Sequence, residues 1–197
     1  MRLRSFALLS TALVGLGVAL TPAAAQAAEK PTEKPRHCVA DISASTAKVS
    51  CYDSFPVAIA KATGNRVADA PADPQKAKND SGFTAKINAA AGSSFAPSAT
   101  VIEIAYEDSY FGGSTWTWTG SGGCQTNPLG NVIYWVNNWD DFSHWWNDEM
   151  GSFRNYSSCY SKHYEHAGFQ GAALGWDYPE RAGLGSLDDE ISSMQWS

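Results

Sequence analysis

Two short stretches near the C-terminus hold the residues best suited to chemistry. They are Asn147-Asp148-Glu149-Met150-Gly151-Ser152 and, 41 residues later, Asp188-Asp189-Glu190-Ile191-Ser192-Ser193. In each, amide or carboxylate side chains precede one apolar residue, and a hydroxyl closes the stretch. Carboxylates, hydroxyls and free carbonyls gathered in a loop suit a hard cation such as calcium. Either stretch alone reads equally as a solvated acidic turn ahead of a last strand. Their recurrence argues for a common design.

Other groupings imitate catalytic sites without meeting their requirements. His163-Tyr164-Glu165-His166 lacks the helical His-Glu-x-x-His spacing of zinc proteases. On a strand, positions 163 and 166 point to opposite faces. Cys159 and His163 could imitate a nucleophile pair, but an exported thiol with an available partner is expected to be oxidised. No Gly-x-Ser-x-Gly elbow occurs. Enzyme activity has no positive support in the sequence.

Charge and cysteines constrain where such loops operate. Arg2 and Arg4, the apolar run Phe6 to Leu20 and the small residues around Ala25-Gln26-Ala27 read as a secretory signal peptide over residues 1–28. The expected location is extracellular. Without that segment 12 basic residues face 20 acidic ones, a net charge of about −8. This excludes nucleic acid, and membrane after signal cleavage, as expected partners. Four cysteines allow three pairings, of which Cys38–Cys51 and Cys124–Cys159 keep each bridge within one region.

The elements that must position the loops come next. Residues 29–66 read as a leader followed by a hairpin and helix. Folding Cys38–Cys51 about Ala44-Ser45 sets Cys38 opposite Cys51, Ala40 opposite Val49 and Ile42 opposite Ala47. Asp53 or Ser54 caps a helix with Pro56 in its first turn and Gly64 at its end. Residues 67–99, rich in Ala, Pro, Asp, Gly and Ser, read as a semi-flexible linker with a short helix around Phe83 to Ala91. Beyond residue 100 the composition changes, and all eight tryptophans fall between Trp116 and Trp196. Val101 to Tyr106, Thr115 to Thr119 and Val132 to Val136 have strand patterns, and long amphipathic helices are absent. By pattern, this region is an all-β sandwich or barrel.

Within it, Tyr106-Glu107-Asp108-Ser109-Tyr110-Phe111-Gly112-Gly113 aligns with Tyr164-Glu165-His166-Ala167-Gly168-Phe169-Gln170-Gly171. The shared pattern is Tyr-Glu-x-x-x-Phe-x-Gly, and each copy is followed by one acidic loop. This arrangement resembles the βγ-crystallin family over residues 100–197. The resemblance implies a mainly β chain: a sandwich of two Greek keys, preceded here by the disulfide-stapled hairpin–helix module.

It also implies a non-enzymatic, secreted calcium-binding protein. In that family each loop has the form Asn/Asp-Asn/Asp-x-x-Ser/Thr-Ser, and each ion is held jointly by both loops. One ion would have the Asp148 carboxylate, the Ser192 hydroxyl and the Glu190 carbonyl. The other would have Asp189 and the Glu149 carbonyl but no hydroxyl, because Gly151 stands where Ser or Thr is expected. On this reading Gly151→Ser strengthens the weaker site.

Tyr106 precedes its loop by 41 residues, Tyr164 by only 24. The extra residues fall in the Trp-rich stretch Ser114 to Trp146, whose tryptophans could present an aromatic surface to a protein or to sugar rings. Two alternative functions follow. One is an extracellular metalloprotease inhibitor, a role known on the same fold, presenting the loop Gly122 to Gly130. The other is a toxin-like or cell-wall-binding protein that takes a glycan through the Trp-rich stretch.

Overall fold

A computed structural model describes residues 36–43, 48–91, 100–124 and 131–197. These belong to one compact unit, Glu33–Ser197. The expected signal peptide and leader, the hairpin tip at 44–47 and most of the 122–130 loop lie outside the described residues. Among the described residues, no helix is long and apolar enough to cross a membrane.

Ten strands form two sheets. β1 is His37–Asp41, β2 Lys48–Tyr52, β3 Thr100–Asp108, β4 Gly112–Gly120 and β5 Tyr134–Val136. β6 is Ser152–Asn155, β7 Ser161–His166, β8 Gln170–Ala173, β9 Glu180–Arg181 and β10 Ser193–Trp196. The first sheet runs β2-β1-β4-β3-β6-β9 and the second β5-β10-β7-β8. Each repeat therefore spends three strands in one sheet and lends its third strand, β5 or β9, to the other. That exchange clamps the two Greek keys into one sandwich.

The space between the sheets is filled chiefly by tryptophan. Trp116, Trp118, Trp139, Trp146 and Trp196 are fully buried. Trp139 and Trp146 stack with rings 5.8 Å apart, and Trp118 meets Trp116, Trp139 and Trp196 at 5.4–5.7 Å. Most of the expected tryptophan surface is thus core. Among the large hydrophobic residues left exposed, Trp135 (60 %) and Trp145 (42 %) are the tryptophans.

β3 reads Thr-Val-Ile-Glu-Ile-Ala-Tyr-Glu-Asp and is buried on both faces, as near-continuous apolar strands are. Its second face is covered by helices. α1 (Phe55–Ala62) starts after Ser54, takes Pro56 in its first turn and gives way to Gly64 at φ +59°. α2 (Pro74–Asn79) is capped by Asp73, whose Oδ1 accepts from Gln75 N and Lys76 N. α3 (Ser81–Ala91) follows directly.

Of the semi-flexible linker expected over 67–99, the short helix around Phe83 to Ala91 forms as α3, but residues 67–91 are packed against the sandwich rather than flexible. Val67, Ala70, Ala77, Phe83, Ile87 and Ala90 form a second core with Phe55 and Ile59 of α1 and with Val101, Ile104 and Tyr106 of β3. Burying a side chain such as Ile87 stabilises by about 1.5–3 kcal/mol, enough to hold a short helix of weak propensity.

The hairpin forms as expected, with Cys38 opposite Cys51 and Ala40 opposite Val49, and the Cys38–Cys51 bridge closes it. β1 also runs parallel to β4, with Cys38 beside Trp116 and Ala40 beside Trp118. The hairpin extends the first sheet. Cys124–Cys159 ties the loop after β4 to the turn between β6 and β7, and so links the two repeats.

Candidate functional site

The two corners come first, because they aim the loops. Tyr106 packs edge-on against Phe111 with ring centres 5.4 Å apart, and Tyr164 meets Phe169 at 5.6 Å. Glu107 Oε2 accepts from Ser114 N at 2.9 Å, and Glu165 Oε2 from Ala172 N at 2.8 Å. Gly113 and Gly171 have φ of +74° and +78°, and a Cβ there would lie 2.9 Å from an Asp108 or Glu165 carboxylate oxygen. Only glycine suits both demands.

The last serine of each loop latches the opposite edge of its corner. Ser152 Oγ donates to Asp108 O (2.6 Å) and accepts from Phe111 N (2.9 Å). Ser193 Oγ donates to His166 O (2.6 Å) and accepts from Phe169 N (3.0 Å). The closing serines are therefore structural, and any ion must be sought at the residues before them.

Those residues meet across the two loops. Asp148 N donates to Ile191 O (3.3 Å), and Asp189 N donates to Met150 O (3.2 Å). Asp148 and Asp189 share a left-handed backbone, with φ of +59° and +58°, which Asp tolerates better than most residues. Ser192 Oγ lies 2.9 Å from Asp148 Oδ1, so the hydroxyl of one loop and the carboxylate of the other converge. Asn147 Nδ2 donates to Asp148 Oδ2 at 2.7 Å, while Asn147 Oδ1 is buried without a partner. This half offers a hydroxyl, a carboxylate and an orphaned acceptor, the oxygen donor set a calcium ion takes. Glu149 is half-buried, and Asp189 and Glu190 are exposed at the loop tips. Among the described residues, no three His, Cys, Asp or Glu side chains cluster as a metal site. A cation here would rest largely on hydroxyl and carbonyl oxygen.

The other half is built differently. A Cβ on Gly151 would lie 2.5 Å from Ser109 N and 2.6 Å from Glu107 O. The first corner presses its backbone against this glycine, so the expectation that serine fits at 151 is overturned. A hydroxyl does come close, from the corner itself: Ser109 Oγ lies 3.2 Å from Asp188 Oδ1 and 3.5 Å from Gly151 O. Burial, with Glu107 close by, raises the Asp108 carboxyl above the ordinary Asp range. Ser109 left no mark in the repeat, because the aligned residue in the second corner is Ala167.

His163 is fully buried and His166 exposed, in keeping with strand alternation. His163 Nε2 meets the fully buried Glu103 at 3.2 Å, and its ring lies 4.3 Å from that of Phe153. Trp196 Nε1 donates to the other Glu103 oxygen at 2.9 Å. This trio joins β3 to β7 and β10 inside the sandwich. Glu103 was missed because it sits within an apolar strand. Residues 125–130, the body of the proposed inhibitor loop, lie outside the described residues.

No family model matches the chain, and no curated protein does. Solved structures do. A structure described under the evolution of the eye-lens βγ-crystallin domain fold is 19 % identical, covering 49 % of this chain and 84 % of its own, with a TM-score of 0.38. A βγ-crystallin from Ciona intestinalis is 22 % identical, over 48 % of this chain and 98 % of its own, with a TM-score of 0.34. A βγ-crystallin domain from Flavobacterium johnsoniae is 20 % identical, over 49 % and 93 %, with a TM-score of 0.36. The paired corners, exchanged strands and facing loops form the two-Greek-key sandwich that the resemblance to the βγ-crystallin family implies.

Proposed function

We propose that this is a secreted, non-enzymatic calcium-binding protein in which the ion joins the two Greek keys through one competent site. The contact that supports the reading is the approach of Ser192 Oγ to Asp148 Oδ1, which sets a hydroxyl and a carboxylate from different loops side by side. Asp148 and Ser192 would hold the ion with backbone carbonyls such as that of Glu190, and the ion would neutralise the carboxylate where the loops meet. The Gly151 half contributes a much weaker site or none.

Extracellular modules of this kind bind at Kd of roughly 10⁻⁴ to 10⁻³ M, so about 10 mM calcium stabilises the fold by about 1.4–2.7 kcal/mol. Calorimetric titration should fit one site in that range, and the melting temperature should rise with calcium and fall back with chelator. Asp148→Ala should abolish both responses. Two equal sites, or a melt indifferent to calcium, would overturn the proposal.

A further inference from the structure

The two repeats treat the outer faces of their sheets in opposite ways. On the first sheet, Tyr106 and Ile104 point outward and are roofed by α1 and α3 through Phe55, Ile59, Phe83 and Ile87. On the second sheet the aligned positions are Tyr164 and Lys162, and neither belongs to that second core. Strand alternation and register gather their neighbours on the same face. Gln195 stands between Trp135 on one side and Lys162 on the other, and Tyr164 Oη donates to Gln195 Oε1 at 2.8 Å. Tyr160, two residues before Lys162, packs against Tyr178 with ring centres 4.9 Å apart and a tilt of 33°. Trp135, Tyr178 and Tyr160 are 60, 46 and 37 % exposed.

We infer that this bare face is a glycan-binding platform. The roofed sheet shows what this chain places against protein, namely aliphatic and phenyl groups. The open sheet has few of these: Phe169 and Ala173 meet Tyr164, alongside Trp135, Tyr160, Lys162, Tyr178 and Gln195. It sets flat aromatic rings beside an amide, phenols and an ammonium. A pyranose has the complementary surface: a C–H face that lies on an aromatic ring, and a rim of hydroxyls that both donate and accept.

Charge also selects the occupant. These residues carry one cation and no carboxylate on a chain of net charge −6. Lys162 Nζ lies over the Tyr164 ring, 5.1 Å from its centre. An uncharged or acidic polysaccharide meets no like charge here, whereas a polyamine sugar faces Lys162. The strand rise separates Tyr160 from Tyr164 by about 13 Å, and Trp135 lies about 10 Å across from Lys162, so an extended chain engages more than one ring.

The test is affinity electrophoresis of the secreted protein in gels containing hydroxyethylcellulose, xylan, polygalacturonate or solubilised peptidoglycan. At least one of these neutral or acidic polymers should retard it. Trp135→Ala and Tyr160→Ala with Tyr178→Ala should each weaken the retardation by about tenfold, a loss equal to one good stacking contact. Trp145→Ala, an exposed tryptophan elsewhere, should leave it unchanged. Should a ring variant lower the melting temperature, Lys162→Glu serves instead and should abolish retardation by polygalacturonate. Chelator and Asp148→Ala should have no effect, which separates this face from the calcium loops. No retardation by any polymer, or equal sensitivity to Trp145→Ala, would overturn the inference.

Discussion

Glu103 is the residue on which the sandwich depends most directly. A fully buried carboxylate is tolerated only when its oxygens are engaged, and here His163 and Trp196 engage one each. Glu103→Leu fits an apolar strand by volume but strands a buried indole N–H and a buried imidazole nitrogen. It should cost about 3–5 kcal/mol in urea unfolding, whereas Glu103→Gln keeps an acceptor for Trp196 and should cost less. Equal stability of the Leu variant and the native protein would show that the trio is incidental.

His37 makes a second residue-scale prediction. Burial holds its pKa down at about 4, below an ordinary histidine at 6.5, while Nδ1 lies 3.0 Å from Thr115 Oγ1. The unfolded chain takes up a proton below pH 6.5 that the folded chain refuses until about pH 4. Stability from this group is therefore complete above pH 6.5, falls as the pH drops towards 4 and then levels off. The full loss is roughly 3 kcal/mol. His37→Gln should flatten the denaturation midpoint over that window, and an unchanged slope would contradict the assignment.

At the scale of elements, each corner is closed by a serine that belongs to the following loop. Ser193→Ala leaves Phe169 N and His166 O without their partner, and Ser152→Ala does the same to Phe111 N and Asp108 O. Each change should cost about 1–3 kcal/mol and loosen the loop it anchors, visible as faster amide exchange at its own corner. Protection unchanged at both corners would mean that the latches are redundant.

The corners were legible in the sequence because Tyr, Glu, Phe and Gly each have one job at a fixed spacing. The hairpin register was legible because Cys38 and Cys51 predict each other. Gly151 was readable only as a missing hydroxyl. Its real constraint is the backbone at Glu107 and Ser109, which lies 42 or more residues away in sequence and leaves no local trace. Gly151→Ser should therefore destabilise the fold and improve calcium binding not at all.

At the scale of the whole molecule, the sequence suggests a sandwich with an appendage, and the packing suggests a single body. The Ala- and Lys-rich composition of α2 and the weak periodicity of α3 conceal what they do, since Ala77, Phe83 and Ile87 become buried only against Val101, Ile104 and Tyr106. Strand pattern carries no partner information either, so the parallel pairing of β1 with β4 could not be read. Polar ties reinforce the same seam. Asn88 Oδ1 accepts from Ser157 N, Gln75 Nε2 donates to Tyr110 O, and Lys78 and Arg154 share Glu180.

A chain starting at residue 100 would expose the outer face of β3 and leave β4 as an unpaired edge, a surface that invites aggregation. The full protein should accordingly unfold in one calorimetric transition whose van't Hoff and calorimetric enthalpies agree. Phe83→Ala, at the seam, should lower that transition as a whole by about 3–5 kcal/mol rather than releasing the helices alone. Two separable transitions, or a fragment 100–197 that is monomeric with native-like near-ultraviolet tryptophan signals, would show instead that the sandwich folds without its roof.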